Sequence, residues 1–404
     1  MRWVWLIVVG LAGSARADEG PRDRLTLEQA LAEATRHPAA QAAAAAGGAA
    51  RAGERAAGVY PHDPELGVRG GVLVDAETSE VGPAVGLELS QGLELVDRGA
   101  LRVAAAEART EGVAADGVAQ AARVAAGVRV AFGDALRARE LATLAAGEVE
   151  LAEALVTVAE RRVRAGDAPE VEAAMARIER SRARRRLAAA RGELDVACVA
   201  LGGAIGRASP VEPAGDLMTS RHRGIDALVA QARERHPDLA PLRAARTEAL
   251  ARADLAVSRR TPDLGVGAFW DLDGAEHTAG ITLSLRLPAF DTGAEEATAA
   301  RAEAAAHEAA LAALAAEVEA DIRAAHARLV AAEDEARLAA EDLPPVHEAL
   351  TLLRTAWERG QIRQAEVLVL RRELLEAERE AIVARAAAWS ARAALETAVG
   401  GDVP

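Results

Sequence analysis

Aromatic residues are nearly missing from this chain of 404: five tryptophans, three phenylalanines and one tyrosine, about 2%. Hydrophobic residues nonetheless make up 51%, so alanine carries most of the apolar content. Alanine buries little surface per residue but is the best helix former. Such a composition suits long helices packed closely along their length, and it argues against one thick core. There is one cysteine, Cys198. That excludes an intramolecular disulfide framework and a cysteine-based zinc cage, and it leaves no cysteine near the N-terminus for a lipid anchor. Beyond the first 17 residues no run of about twenty apolar residues occurs, so no transmembrane helix is expected. The eight histidines are scattered, and none falls in an H-E-x-x-H or His/Cys ligand spacing. No nucleophile elbow, P-loop or dinucleotide fingerprint occurs in a suitable context. Neither a metal site nor a cofactor is expected, and no bond-breaking chemistry can be assembled. A formal charge of −14 argues against nucleic acid as a partner.

What is present begins with a leader. Arg2 is followed by an apolar run from Trp3 to Ala12, then Ala15-Arg16-Ala17 and the acidic pair Asp18-Glu19. This is the layout of a secretory signal, residues 1–17, with cleavage after Ala17.

The remainder reads as two similar halves. Helical segments ending in His37-Pro38 and His236-Pro237 lie 199 residues apart, and Pro64-Glu65-Leu66 and Pro262-Asp263-Leu264 lie 198 apart. The turns Asp97-Arg98-Gly99 and Asp291-Thr292-Gly293 are 194 apart, as are Gly166 and Gly360. The first repeat is assigned to 18–205 and the second to 223–401. Residues 206–222, within a stretch rich in Gly, Pro and Ser, form a linker.

Each half follows one plan. A helix of about thirty residues (26–57; 225–257) precedes two strands with apolar residues at period two. In the first half these are Leu66, Val68, Val72, Val74 and then Val81, Val85, Leu87, Leu89; in the second, Leu264, Val266, Ala268, Trp270 and then Ile281, Leu283, Leu285, Leu287. Polar connectors span 75–80 and 271–278, and Pro288 ends the last strand. Long helical runs follow, from about Ala100 to Ala165 and from Gly293 to Arg359, each on the order of 100 Å at about 1.5 Å per residue. Leu311, Leu314, Val318, Ile322, Ala325 and Leu329 mark a coiled-coil seam. Pro344-Pro345 predicts a break in the second run, and Ala146-Gly147 a softer one in the first. Helix resumes beyond Gly166 and Gly360, which therefore read as chain-reversing turns. The basic run from Arg177 to Arg186 reads as a solvated helix face offset by Glu170, Glu172, Glu179 and Glu193.

Four short strands cannot close a barrel alone, and in lipid an open sheet edge is forbidden. Several protomers donating strands to one barrel would resolve this. The order helix, hairpin, long helix, glycine turn, long helix, given twice behind a leader, resembles the TolC-like outer membrane efflux protein family. LTLEQALAEATRHP, LELSQGLEL, LRLPAFDTG and the two glycine tips carry the likeness across nearly the whole mature chain, and the second and third strings are closest to the heavy-metal (cobalt–zinc–cadmium) branch. The resemblance implies a mainly α fold with a small β part. Duplicated α-helical hairpins would form a periplasmic α-barrel, and four strands per protomer a shared transmembrane β-barrel. It implies a homotrimer in outer-membrane lipid that acts as the exit duct of a tripartite efflux pump. Its partners would be a periplasmic adaptor and an inner-membrane transporter, and its cargo metal cations or small toxic molecules.

The same resemblance assigns site residues. Arg164, Gly166, Asp167, Arg359, Gly360 and Gln361 would form the adaptor-contact tips. Glu172 and Glu366, six positions beyond each tip glycine, would constrict the periplasmic entrance and favour cations. An aromatic girdle is thin here: Phe269, Trp270 and Phe290 lie in the strand regions, with Tyr60 nearby, and Trp357 precedes the second tip. The alternative is a periplasmic coiled-coil adaptor or structural rod without a pore.

Overall fold

A computed structural model describes residues 22–74, 81–217, 224–274, 276–359, 361–362 and 364–401. The expected leader, the connector 75–80 and Gly360 lie outside the described residues. The elements are β1 (Arg24–Leu25), α1 (Leu27–Ala34), α2 (Pro38–Ala57), β2 (Glu65–Val74), β3 (Val81–Glu94), α3 (Arg98–Ala165) and α4 (Glu170–Ala204). Then come β4 (Glu212–Pro213), α5 (Ile225–Arg235), α6 (Leu239–Ser258), β5 (Asp263–Asp273), β6 (Glu276–Arg286), α7 (Ala294–Glu358) and α8 (Gln364–Val399). The fold is mainly α with a small β part.

Several expectations are corrected. Each thirty-residue helix is two, broken at the His-Pro step, because proline has no N–H to continue the ladder and disfavours helix in the residue before it. Both breaks are mended alike. His37 Nδ1 accepts from the Ala39 amide at 3.2 Å and His236 Nδ1 from the Asp238 amide at 3.3 Å. Conversely, α3 (68 residues) runs on through Ala146-Gly147, and α7 (65 residues) through Pro344-Pro345. Two prolines cost the ladder two donors and about 3 kcal/mol each. The helix is nonetheless continuous across them. Much of the connector expected at 271–278 is strand, since β5 runs to Asp273 and β6 begins at Glu276, with Gly274 at φ 64°. The linker is partly ordered, since β4 pairs in parallel with β1 and Val211 is fully buried.

The chain divides into two compact units, each assembled from three segments. The first comprises residues up to 34, 128–217 and 339–386. Phe132, Leu136, Leu201, Cys198 and Val211 are buried there. Near the end of α3, Val156 and Ala159 pack against Ala173 and Ala176 of α4, while Leu155 meets Trp357 and Val367. The run from Arg177 to Arg186 is not offset as expected: Arg177, Arg184 and Arg186 reach Glu160, Glu153 and Glu148 of α3 at 3.2, 2.6 and 2.7 Å. Charges of this kind flank an antiparallel helix seam and fix its register. Of the expected partners Glu179 takes part, 3.0 Å from Arg186 and 3.6 Å from Arg182.

The second unit comprises 35–127, 218–338 and 387–404. The expected seam is realised: Val318, Ile322, Ala325 and Leu329 are buried with Leu228, Val229, Leu395 and Val399, and Leu314 packs against them. Close helix contact rests on small residues, as where a Cβ on Gly112 would lie 3.5 Å from that of Ala244. His236 is buried here, beside Pro237, against which Gly400 turns at φ 80°. Burial lowers the His236 pKa below its ordinary 6.5, partly opposed by Asp238 at 4.0 Å. A neutral imidazole is also what the cap requires, because Nδ1 accepts. The folded value lies below the unfolded one, so this contribution is complete above pH 6.5 and is lost as pH falls through the lowered folded value. Thermal midpoints should therefore fall between pH 7.5 and 5, with a shallower slope in His236→Asn. Parallel slopes would assign the pH dependence to other groups.

Candidate functional site

All four long strands form one antiparallel sheet in the order β2-β3-β5-β6. The central β3–β5 pairing joins the two halves, with Leu87 opposite Trp270 and Glu94 opposite Asp263. Because side chains alternate and the registers are in phase, the two faces differ in chemistry. One carries Leu66, Val68, Val72, Val74, Leu87, Leu89, Leu264, Val266, Ile281, Leu283 and Leu285. Of these, the residues on the outer strands β2 and β6 are more than half exposed, up to 76% at Ile281. The other face carries Arg69, Glu88, Ser90, Asp271, Thr282, Ser284 and many glycines. Its side chains lie flat over those glycines: a Cβ on Gly265 would meet Ser284 Oγ at 2.3 Å, and one on Gly267 would meet Thr282 Oγ1 at 2.4 Å. Arg69 sits 3.8 Å from Glu88 and 3.9 Å from Asp271.

The aromatic assignments divide by the same parity. Phe269 is one position out of phase with Trp270 and lies on the polar face, over Gly280. Trp270 stays on the apolar face, stacked on His277 near the β5–β6 turn, with centroids 5.6 Å apart. Phe290 is fully exposed at the helical end of the strands. Tyr60 ties down the end of β3: its hydroxyl donates to Gly92 O and accepts from the Glu94 amide, both at 2.9 Å.

At the first helical tip, Gly166 adopts φ 80° and its amide donates to Val163 O, while Asp167 N–H donates to Arg162 O at 2.9 Å. This is a Schellman close, which needs a left-handed residue just past the helix. Arg164 and Asp167 are exposed around it. At the second tip Gln361 N–H reaches Ala356 O at 2.9 Å, the same five-residue span, and Arg359 and Gln361 are exposed. The two candidate gate carboxylates sit in unlike surroundings. Glu172 is half-buried, with Oε2 3.6 Å from Arg162, whereas Glu366 is exposed in the first turn of α8. Trp357, which precedes the second tip, is 4% exposed inside an apolar cluster.

Sequence reasoning missed a buried charge network in this unit. Glu148 of α3, 3% exposed, holds Arg186 of α4 at 2.7 Å and Arg379 of α8 at 3.5 Å, and its carbonyl accepts from Arg371 at 2.9 Å. A glutamate and three arginines in a chain rich in both leave no signal until α3, α4 and α8 are brought together. Among the described residues, no group of three or more His, Cys, Asp or Glu is placed to hold a metal, and no helix is long and apolar enough to cross a membrane.

Residues 228–401 match the model of the outer membrane efflux protein family. The likeness over that stretch is to outer membrane efflux proteins. No curated protein sequence matches the chain. Solved structures extend the likeness over most of the chain. VceC of Vibrio cholerae is 19% identical over 93% of this chain and 96% of its own, with a TM-score of 0.72. CusC is 15% identical over 94% and 93%, at 0.74. MtrE of Neisseria gonorrhoeae, in its open state, is 18% identical over 93% and 89%, at 0.73. At such identities the likeness establishes the fold, which is that of TolC-like outer membrane channels.

Proposed function

We propose that three copies of this chain close a twelve-stranded barrel through the outer membrane and act as the passive exit duct of a tripartite efflux pump. The observation that carries this reading is the two-faced sheet. Among the described residues β2 and β6 each pair on one side only, and the apolar face is left in the open. Water penalises that face and lipid penalises those edges; closure with neighbouring copies satisfies both. The apolar positions of β3, Val81 to Leu93, advance roughly 40 Å along the strand. At the tilt of about 40° usual for such strands that gives roughly 30 Å of height, enough for the apolar band of an outer-membrane barrel. The glycine-rich polar face would then line a lumen kept clear by side chains that lie flat.

In this reading residues 1–17 are a cleaved leader, and 18–205 and 223–401 are the two structural repeats. The tips bearing Arg164, Gly166, Asp167, Arg359, Gly360 and Gln361 meet a periplasmic adaptor, which links the duct to an inner-membrane transporter. Glu172 and Glu366 line the constriction, Glu172 held back by Arg162. Cargo comprises metal cations or small toxic molecules, with selection in the inner-membrane partner.

The purified chain should migrate as a heat-sensitive trimer from outer-membrane extracts and open channels in planar bilayers. Glu172→Gln with Glu366→Gln should change conductance and lower the preference for cations. Soluble monomers without channel activity would favour the adaptor or rod. Channels with unaltered conductance and selectivity in the double variant would remove the two carboxylates from the constriction.

A further inference from the structure

The back of α4 carries a row of residues at alternating steps of four and three: Val171, Met175, Ile178, Arg182, Arg185 and Ala189, all exposed. That is the spacing of a coiled-coil seam. It is distinct from the seam α4 already uses, in which Ala173, Ala176 and Ala183 are buried, the first two against α3. Met175, Ile178 and Arg185 each lie two positions beyond one of those alanines, about 200° round the helix. A second row runs along α7: Leu338, Glu341, Pro345, Glu348 and Leu352, again at steps of three and four and all exposed. Leu353 and Trp357 of that helix turn inward.

The two rows are opposite in charge. That of α4 holds two arginines and no acid, and that of α7 two glutamates and no base. Both also leave large apolar side chains in the open, Ile178 at 54% and Leu352 at 63%. Water penalises those side chains, and lipid penalises the ionised groups set among them. A partner helix of the opposite charge satisfies both. Directions agree as well: α3 and α7 both end at the tips, where Leu155 meets Trp357, and α4 leaves its tip, so α4 runs antiparallel to α7. Within one chain the rows do not meet, because that of α4 points away from α3 while α7 turns its inner row toward α3. Each chain therefore offers a basic row on one helix and an acidic row on another. A contact between unlike patches is heterologous, and it closes a ring when the rotation fits.

We propose that α4 of one protomer docks along α7 of the next as an antiparallel coiled coil, with Arg182 and Arg185 set against Glu341 and Glu348 of the neighbouring copy. The apolar members of each row flank these charges, and the charges decide which helix meets which. Like-charged pairings, α4 with α4 or α7 with α7, are repelled. The inference rests on the reading that three copies assemble, but it concerns a helical surface separate from the strand edges that close the barrel.

The test is disulfide cross-linking of the full-length protein in lipid nanodiscs, in a Cys198→Ala background because that buried thiol is the one native cysteine. Arg185→Cys is combined in turn with Glu341→Cys and with Glu348→Cys, which lie one heptad apart and so cover both neighbouring registers. One of the two pairs should give covalent dimers and trimers on oxidation, and none of the three single variants should. Charge reversal supplies an independent arm. Arg182→Glu with Arg185→Glu should raise trimer dissociation in detergent by about tenfold or more; so should Glu341→Arg with Glu348→Arg, and all four together should restore most of the loss. Cross-links from neither pair, a reversed α4 row as stable as the parent, or an Ile178→Cys that a maleimide labels fully in the intact trimer would each overturn the contact. The last result would leave the row open to an adaptor instead. Trimers that conduct but do not cross-link would sink this contact alone, whereas a parent chain that stays monomeric would sink the duct reading with it. Cross-linking needs no charge-reversed variant, so it decides even if one misfolds.

Discussion

Replacing Gly293 with alanine is expected to destabilise the chain by roughly 3–5 kcal/mol, a left-handed backbone penalty and a steric clash acting together. Gly293 lies at the start of α7 with φ 67°, and an added Cβ would sit 2.0 Å from the carbonyl oxygen of Ala256 and 2.8 Å from its carbon. Neither atom can swing aside, because both belong to the backbone of α6. The turn is otherwise well held, with Asp291 Oδ1 accepting from the Gly293 amide at 3.1 Å. Gly166→Ala isolates the first effect: φ is 80° but nothing lies within 4 Å of the added carbon, so it should cost only about 1–2 kcal/mol. Urea or thermal unfolding of both variants measures the difference. Equal losses would mean that α6 and α7 separate freely at this point.

The second large effect is expected at Glu148. Glu148→Gln keeps the shape and removes the charge, and stability should fall by about 3 kcal/mol. The carboxylate is 3% exposed, and Arg371, itself buried, would lose its nearest counter-charge. Arg186 and Arg379 are partly hydrated, and Arg186 retains Glu179, which limits the loss. Glu160→Gln is the control. That residue is partly exposed and pairs with Arg177 at 3.2 Å, and such a pair contributes about 0–1 kcal/mol. Similar small losses from both variants would show that water reaches Glu148.

Much of the architecture was legible because it repeats and is periodic. Strand alternation at Leu66, Val68, Val72 and Val74 needs only the pleat to place those residues on one face. The seam from Leu314 to Leu329 needs only the helical period. Gly166 was legible as a turn, since a chain that resumes helix after a lone glycine has few other ways to reverse. Where local rules compete with packing, the sequence misled. The His-Pro steps broke helices that periodicity had joined, whereas the two prolines of α7 broke nothing. The same local rule had opposite outcomes at the two sites.

The sequence alone determined a two-fold repeated chain of long alanine-rich helices with two apolar-faced hairpins. These follow from periods, which need no partner residue to be read. Only the tertiary structure decided that β3 pairs with β5, that Phe269 and Trp270 face opposite ways, and that Glu172 answers to Arg162. It alone assembled Glu148 with Arg186, Arg371 and Arg379, and set Trp357 inside an apolar cluster. Those facts depend on the register between segments up to 223 residues apart, as Glu148 and Arg371 are. In a chain with so many alanines, glutamates and arginines, composition does not specify which of them meet.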